Sequence, residues 1–128
     1  MVFTVICFGQ WNIGKTIDEV KATMEAGDKI EDQTKPNGPV QLVLTNNENT
    51  FCIGYVFNDQ KKCYLSALYP FTLEAKSEMH GILNEYGTRL KSEKWQDIWL
   101  LNEDDTFIIV TYIKDDNLGY YRAQPHKK

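Results

Sequence analysis

Asp97 to Gln124, DIWLLNEDDTFIIVTYIKDDNLGYYRAQ, reads as three strands joined by polar turns, and a second version of it lies 56 positions earlier as QLVLTNNENTFCIGYVFNDQKKCYLSAL, Gln41 to Leu68. Leu44, Asn46, Thr50, Phe51, Ile53, Asp59, Tyr64 and Ala67 recur without a gap as Leu100, Asn102, Thr106, Phe107, Ile109, Asp115, Tyr120 and Ala123. Recurrence at one fixed offset is the mark of an internal duplication. In both versions β-branched and aromatic runs flank clusters of Asn, Asp and Glu, the pattern of successive antiparallel strands joined by hairpin turns.

Working outward, the run VFTVICF from Val2 to Phe8 is apolar almost throughout and reads as a strand buried on both faces. Ile17, Val20 and Met24 then fall at helical spacing, with Thr16 and Glu19 forming a capping box and an end expected near Gly27. Glu31 to Pro39, EDQTKPNGP, is rich in turn residues and is expected to hold no regular element. Thr72 and Glu74 open a second helix, LEAKSEMHGILNEYG, ending at Gly87, and Arg89 to Lys94 reads as a charged connection. Thr16 and Thr72 are separated by the same 56 positions. The expectation is an α+β protein: one domain over residues 1–128, with repeat units at about 1–57 and 58–124, each strand-helix-strand-strand. About seven strands form a single, mostly antiparallel sheet with both helices on one face.

Composition narrows the function. Fourteen Lys and Arg against eighteen Asp and Glu give a net charge of -4, with no basic stripe for a row of phosphates, so nucleic acid is not expected as a partner. The apolar runs are too short to span a bilayer, and no secretory leader pattern is seen; no membrane association and a cytoplasmic location are the expectations. Cys7, Cys52 and Cys63 lack metal-ligand or CxxC spacing and read as buried reduced thiols. No cofactor is expected.

One motif suggests phosphate chemistry. GQWNIGKT, with Gly9, Gly14, Lys15 and Thr16, fits the phosphate-loop pattern, follows a predicted strand and opens a helix. Backbone amides would cradle phosphates, Lys15 would neutralise a terminal phosphate and Thr16 would hold magnesium. Bulky Trp11 and Ile13 inside the loop, and hairpins in place of alternating strands and helices, weigh against a nucleotide-binding parallel sheet. His80 has no sequence-placed nucleophile or carboxylate partner, so it reads as a histidine on a partly buried helix face.

The strands carry more information. TFIIVTYI sets Phe107, Ile109 and Ile113 on one face and Ile108, Val110 and Tyr112 on the other, so both faces are apolar. Two helices cover one face, and something else must bury the second: a partner protein, a second protomer or a ligand in a groove. Trp11, Trp95, Trp99, Tyr64, Tyr112 and Tyr120 are the candidate contact residues. The leading expectation is a non-enzymatic binding protein, an inhibitor or a homodimer, acting through that face; a small amphipathic ligand held between the repeats is the alternative.

The duplicated strand-helix-strand-strand order resembles the architecture of the gyrase-inhibitor-like and SOUL haem-binding group, which sets two such units around a groove. The resemblance covers element order over nearly the whole chain and carries no sequence motif, so it transfers no functional residue. It implies an amphipathic ligand held between the units by aromatic side chains and one carboxylate, for which Glu74, Glu78 and Glu85 are equivalent choices.

Overall fold

The structure, a computed structural model, describes residues 11–92, 96–103, 105–115 and 117–126. In chain order the elements are α1 (Ile17–Lys21), β1 (Lys29–Asp32), β2 (Gln41–Thr45), β3 (Phe51–Phe57), β4 (Cys63–Pro70), α2 (Leu73–Tyr86), β5 (Thr88–Ser92), β6 (Gln96–Glu103), β7 (Thr106–Ile113) and β8 (Tyr120–Pro125). The strands form one antiparallel sheet in the order β1-β2-β3-β4-β8-β7-β6-β5. This is an α+β arrangement of eight described strands and two helices, one strand more than the seven expected.

Six of the seven expected strands lie within the described residues, and the two further strands are both sheet edges. β1 begins just ahead of the stretch read as loop, and β5 occupies the stretch read as a charged connection. Lys29, Glu31 and Asp32 in one and Arg89 and Lys91 in the other weaken any strand signal, yet charged edges are how sheets discourage further pairing. The strand expected over Val2 to Phe8 lies outside the described residues.

The first helix is also shorter than its periodicity predicts. The capping box forms, with Thr16 Oγ1 accepting from Glu19 N at 3.2 Å and Glu19 Oε1 accepting from Thr16 N at 2.8 Å. α1 nevertheless stops at Lys21. Thr23 Oγ1 donates back to the Val20 carbonyl, an alternative use of the helix's own acceptor. Asp28 then accepts from Glu25 N and from Asn47 N, while Asn47 Nδ2 donates to Ala26 O, tying this segment to the β2–β3 turn. Long-range bonds here override a weak local preference.

α2 follows its sequence closely. Thr72 Oγ1 accepts from Ala75 N at 3.0 Å, and Ala75, Met79 and Leu83 form its buried stripe. At its end, a Cβ on Gly87 would stand 2.8 Å from the Leu83 carbonyl and 3.3 Å from that of Leu100, so close backbone approach requires glycine there. Replacing Thr72 with alanine removes the cap and is expected to cost about 1 kcal/mol, measured by urea unfolding.

The two faces of the sheet differ sharply. Leu42, Leu44, Phe51, Ile53, Tyr55, Phe57 and Leu68 from one half, and Trp99, Leu101, Ile108, Val110, Tyr112, Tyr121 and Ala123 from the other, point to the same side and are buried there. They form one core with Ala75, Met79 and Leu83 of α2, Val20 of α1, and Trp11 and Ile13. Ile108, Val110 and Tyr112 are therefore covered within the protein itself. The opposite face has no described helix over it and carries Cys52, Val56, Leu65, Tyr69, Phe107, Ile109 and Leu100.

The pairing registers of the two halves agree, but their faces do not. Gln41 pairs with Val56 and Asp97 with Tyr112; Ile53 pairs with Leu68 and Ile109 with Gln124, so each of these second-half pairings follows from its first-half counterpart by 56 positions on both strands. Phe51 is 1% exposed whereas Phe107 is 38% exposed. Leu44 and Ile53 are buried while Leu100 and Ile109 are only partly so. Residues matched by the gapless recurrence thus lie on opposite faces. The turns supply the reason. β2 and β3 close where Asn46 N donates to Phe51 O, across four residues, whereas β6 and β7 close on the Glu103 and Thr106 pair, across two. Moving the closing pair by one position exchanges the alternating pair types of the ladder and turns every side chain to the other side.

Candidate functional site

The stretch with the phosphate-loop spacing is already committed to the fold. Gly14 N donates to the Cys63 carbonyl, Lys15 N to that of Asn12, and Thr16 N to Glu19 Oε1. Trp11, Asn12 and Ile13 are buried, and Asn12 Nδ2 donates to Tyr55 Oη at 3.3 Å. A phosphate cradle needs amides pointing at the ligand, and these three point elsewhere. Gly9 lies outside the described residues.

The aromatic candidates separate into different environments. Trp11, Trp99 and Tyr112 are interior, at 2%, 0% and 3% exposure, so the structure does not present them to a partner. Tyr64 is the extra residue where the β3–β4 register shifts, and it is exposed. Tyr120 lies on the uncovered face, its ring stacked on Tyr69 with centroids 5.1 Å apart. Trp95 lies outside the described residues.

His80, read from sequence as a bland helix residue, sits at the centre of a polar network beneath α2. Its Nδ1 is 2.5 Å from Tyr121 Oη and its Nε2 is 3.4 Å from Asp97 Oδ2. Tyr121 Oη also donates to the Lys76 carbonyl at 3.1 Å, and Arg89 stands 3.6 Å from the other Asp97 oxygen. Trp99, Tyr112 and Tyr121 each meet the imidazole edge to face. Trp99 Nε1 donates to Asn84 Oδ1, and Lys76 and Arg89 lie over the rings of Tyr112 and Trp99. Burial pushes the Tyr121 phenol far up, so it stays protonated. Burial also pushes His80 down, opposed by its hydrogen bond to Asp97 and that carboxylate's charge. Tyr121 has one proton: when it donates to Lys76, Nδ1 of His80 must carry the hydrogen between the rings, and Nε2 then donates to Asp97 only in the imidazolium form. This network fastens α2 to β6, β7 and β8. Its partners are far apart in sequence, from Lys76 to Tyr121, which is why no spacing rule reveals it.

The uncovered face is built in rows that run across the strands. In the middle row Val43, Gly54, Ala67, Arg122, Thr111 and Ile98 are successive pairing partners from β2 to β6. On one side lie Thr45, Cys52 and Tyr69, continued through the stacked Tyr120 to Ile113. On the other lie Val56 and Leu65, then Gln124, Ile109 and Leu100. A Cβ added to Gly54 would meet nothing nearer than the Val43 side chain at 4.0 Å, so Gly54 and the small Ala67 floor a shallow trough between two taller rows. Burial pushes both the Cys52 thiol and the Tyr69 phenol up, leaving neutral groups along one wall.

Among the described residues no group of three His, Cys, Asp or Glu is placed to hold a metal ion. No described helix is long and apolar enough to cross a membrane. Cys52 and Cys63 are free thiols, and Cys63, the more deeply buried, is pushed up to about 12 by burial. Compared with family models, curated proteins and solved structures, the chain matches none of them.

Proposed function

We propose that this chain is a non-enzymatic binding protein and that the uncovered face of its sheet receives a small amphipathic ligand. The observation that carries this reading is the trough over Gly54 and Ala67, open on a face that α1 and α2 leave bare. Adjacent side chains on one face of a strand are about 6.8 Å apart, so a trough one row wide suits an alkyl chain or single ring; an α-helix, about 10–12 Å across, is too broad for it. The equal pairing registers support a duplicated origin for the half-sheets, and the β4–β8 seam is then the joint between copies.

A second reading keeps the same face and gives it a protein partner or a second protomer. Tyr69 at 44% exposure and Phe107 at 38% favour it, since large exposed aromatics suit contact surfaces. Cys52 on the trough wall allows a direct test, by following its alkylation through peptide mass mapping and the assembly state by native mass spectrometry. Decanol or decanoate below micellar concentration is expected to slow Cys52 alkylation severalfold in a monomer of 14.9 kDa. A dimer whose Cys52 is protected without any amphiphile would replace the ligand reading with the protomer reading.

A further inference from the structure

Across the six inner strands, the uncovered face is neutral except at one point. On β2, β3, β4, β8, β7 and β6 its described side chains are apolar or uncharged polar, save Arg122 at the centre of β8. Arg122 stands in the middle row, paired with Ala67 across the seam and with Thr111 on the other side. Its Nε is buried and has no hydrogen-bond partner among the described residues. A buried donor on a charged group without an acceptor is costly, and such a group in a recess is satisfied by an anion that arrives with its own apolar surface. The neighbouring floor, Ala67 and then Gly54, supplies that apolar surface in line with the guanidinium.

Resting on the reading of this face as a ligand site, we infer that Arg122 anchors the carboxylate of an amphipathic acid whose hydrocarbon part lies over Ala67 and Gly54. The planar guanidinium suits a carboxylate, which accepts two parallel N–H bonds. Tyr69, stacked on Tyr120, forms the wall on one side of the chain, and Leu65 and Val56 form the other. Across Ala67 and Gly54 the floor spans two strand spacings, about 10 Å, which accommodates an alkyl chain of about eight carbons or a fused aromatic pair.

Calorimetric titration with decanoate, decanol and decyltrimethylammonium, all below micellar concentration, tests this directly. Decanoate is expected to bind at least about tenfold more tightly than the other two, as a charge-assisted pair requires. Arg122→Gln should remove that preference and leave the decanol affinity unchanged, Arg122→Lys should keep part of it, and Gly54→Leu should weaken all three by filling the trough. Equal binding of the three amphiphiles to the wild-type protein would overturn the role of Arg122 while leaving the face as a ligand site. No binding of any of them, with Cys52 alkylated at the same rate throughout, would overturn both. The wild-type comparison decides the matter even where Arg122→Gln fails to fold.

Discussion

Phe51→Ala is expected to destabilise the protein by about 3–5 kcal/mol, the usual cost of emptying a buried aromatic site. Phe107→Ala, at the position matched to it by the 56-residue recurrence, is expected to cost less than about 1 kcal/mol, because Phe107 is 38% exposed. Phe51 is 1% exposed and belongs to the core closed by the helices. Identical residues at matched positions thus have different energetic roles, since the second hairpin presents its opposite face to α2. Urea unfolding of both variants gives the comparison. Equal losses would mean that the half-sheets present matched residues to the same side, and the turn-based account of their inversion would be wrong.

The same inversion explains what could be read in advance. The hairpins and α2 were legible because each combines a local signal with a periodic one: Asn46 caps its turn by accepting from Thr50 N and Phe51 N, and Thr72 caps α2. The apolar character of both strand faces was legible too, and one face is indeed left without a described helix over it. Which face is covered was not legible. TFIIVTYI has apolar residues at odd and even positions alike, so alternation gives no phase, and a one-residue difference in turn closure decides it. The edge strands β1 and β5 are not legible in the sequence because their charges, which protect the edges, also erase the usual strand composition.

The candidate residues show a related limit. Trp11, Trp99 and Tyr112 look like contact residues by type, but large aromatics serve interiors and surfaces equally, and here they fill the core. Arg122 had no motif around it. Its significance comes from neighbours on other strands: Ala67, Thr111, and the absence of any second charge on the inner strands of that face among the described residues. Cross-strand neighbours follow from register, which sequence alone does not supply when the seam joins strands as distant as β4 and β8.

Tyr121→Phe provides the strongest test of the network under α2. The substitution keeps the ring in the core and removes only the hydroxyl, leaving the Lys76 carbonyl and His80 Nδ1 without the partner they share. The imidazole nitrogen left without its bond costs about 1–3 kcal/mol, while the Lys76 carbonyl keeps its helical bond within α2, so the loss should exceed that of an exposed polar contact. The pH dependence separates this role from simple packing. Because His80 is held below its ordinary value of 6.5, the unfolded chain binds the proton more readily than the folded one. Its contribution is therefore fully present above about pH 6.5 and declines as pH falls from there towards the folded value. Melting temperature measured from pH 7.5 to 5 should fall more steeply for the wild-type protein than for His80→Gln, which lacks the titrating ring. Asp97 and Arg89 face the imidazole from β6 and β5, Lys76 from α2, and Tyr112 and Tyr121 from β7 and β8, so the measured slope reports their combined field. A wild-type protein that instead gains stability relative to His80→Gln on acidification would show that the Asp97 carboxylate overcomes burial, and that the fold holds His80 as an imidazolium donating to both Tyr121 and Asp97.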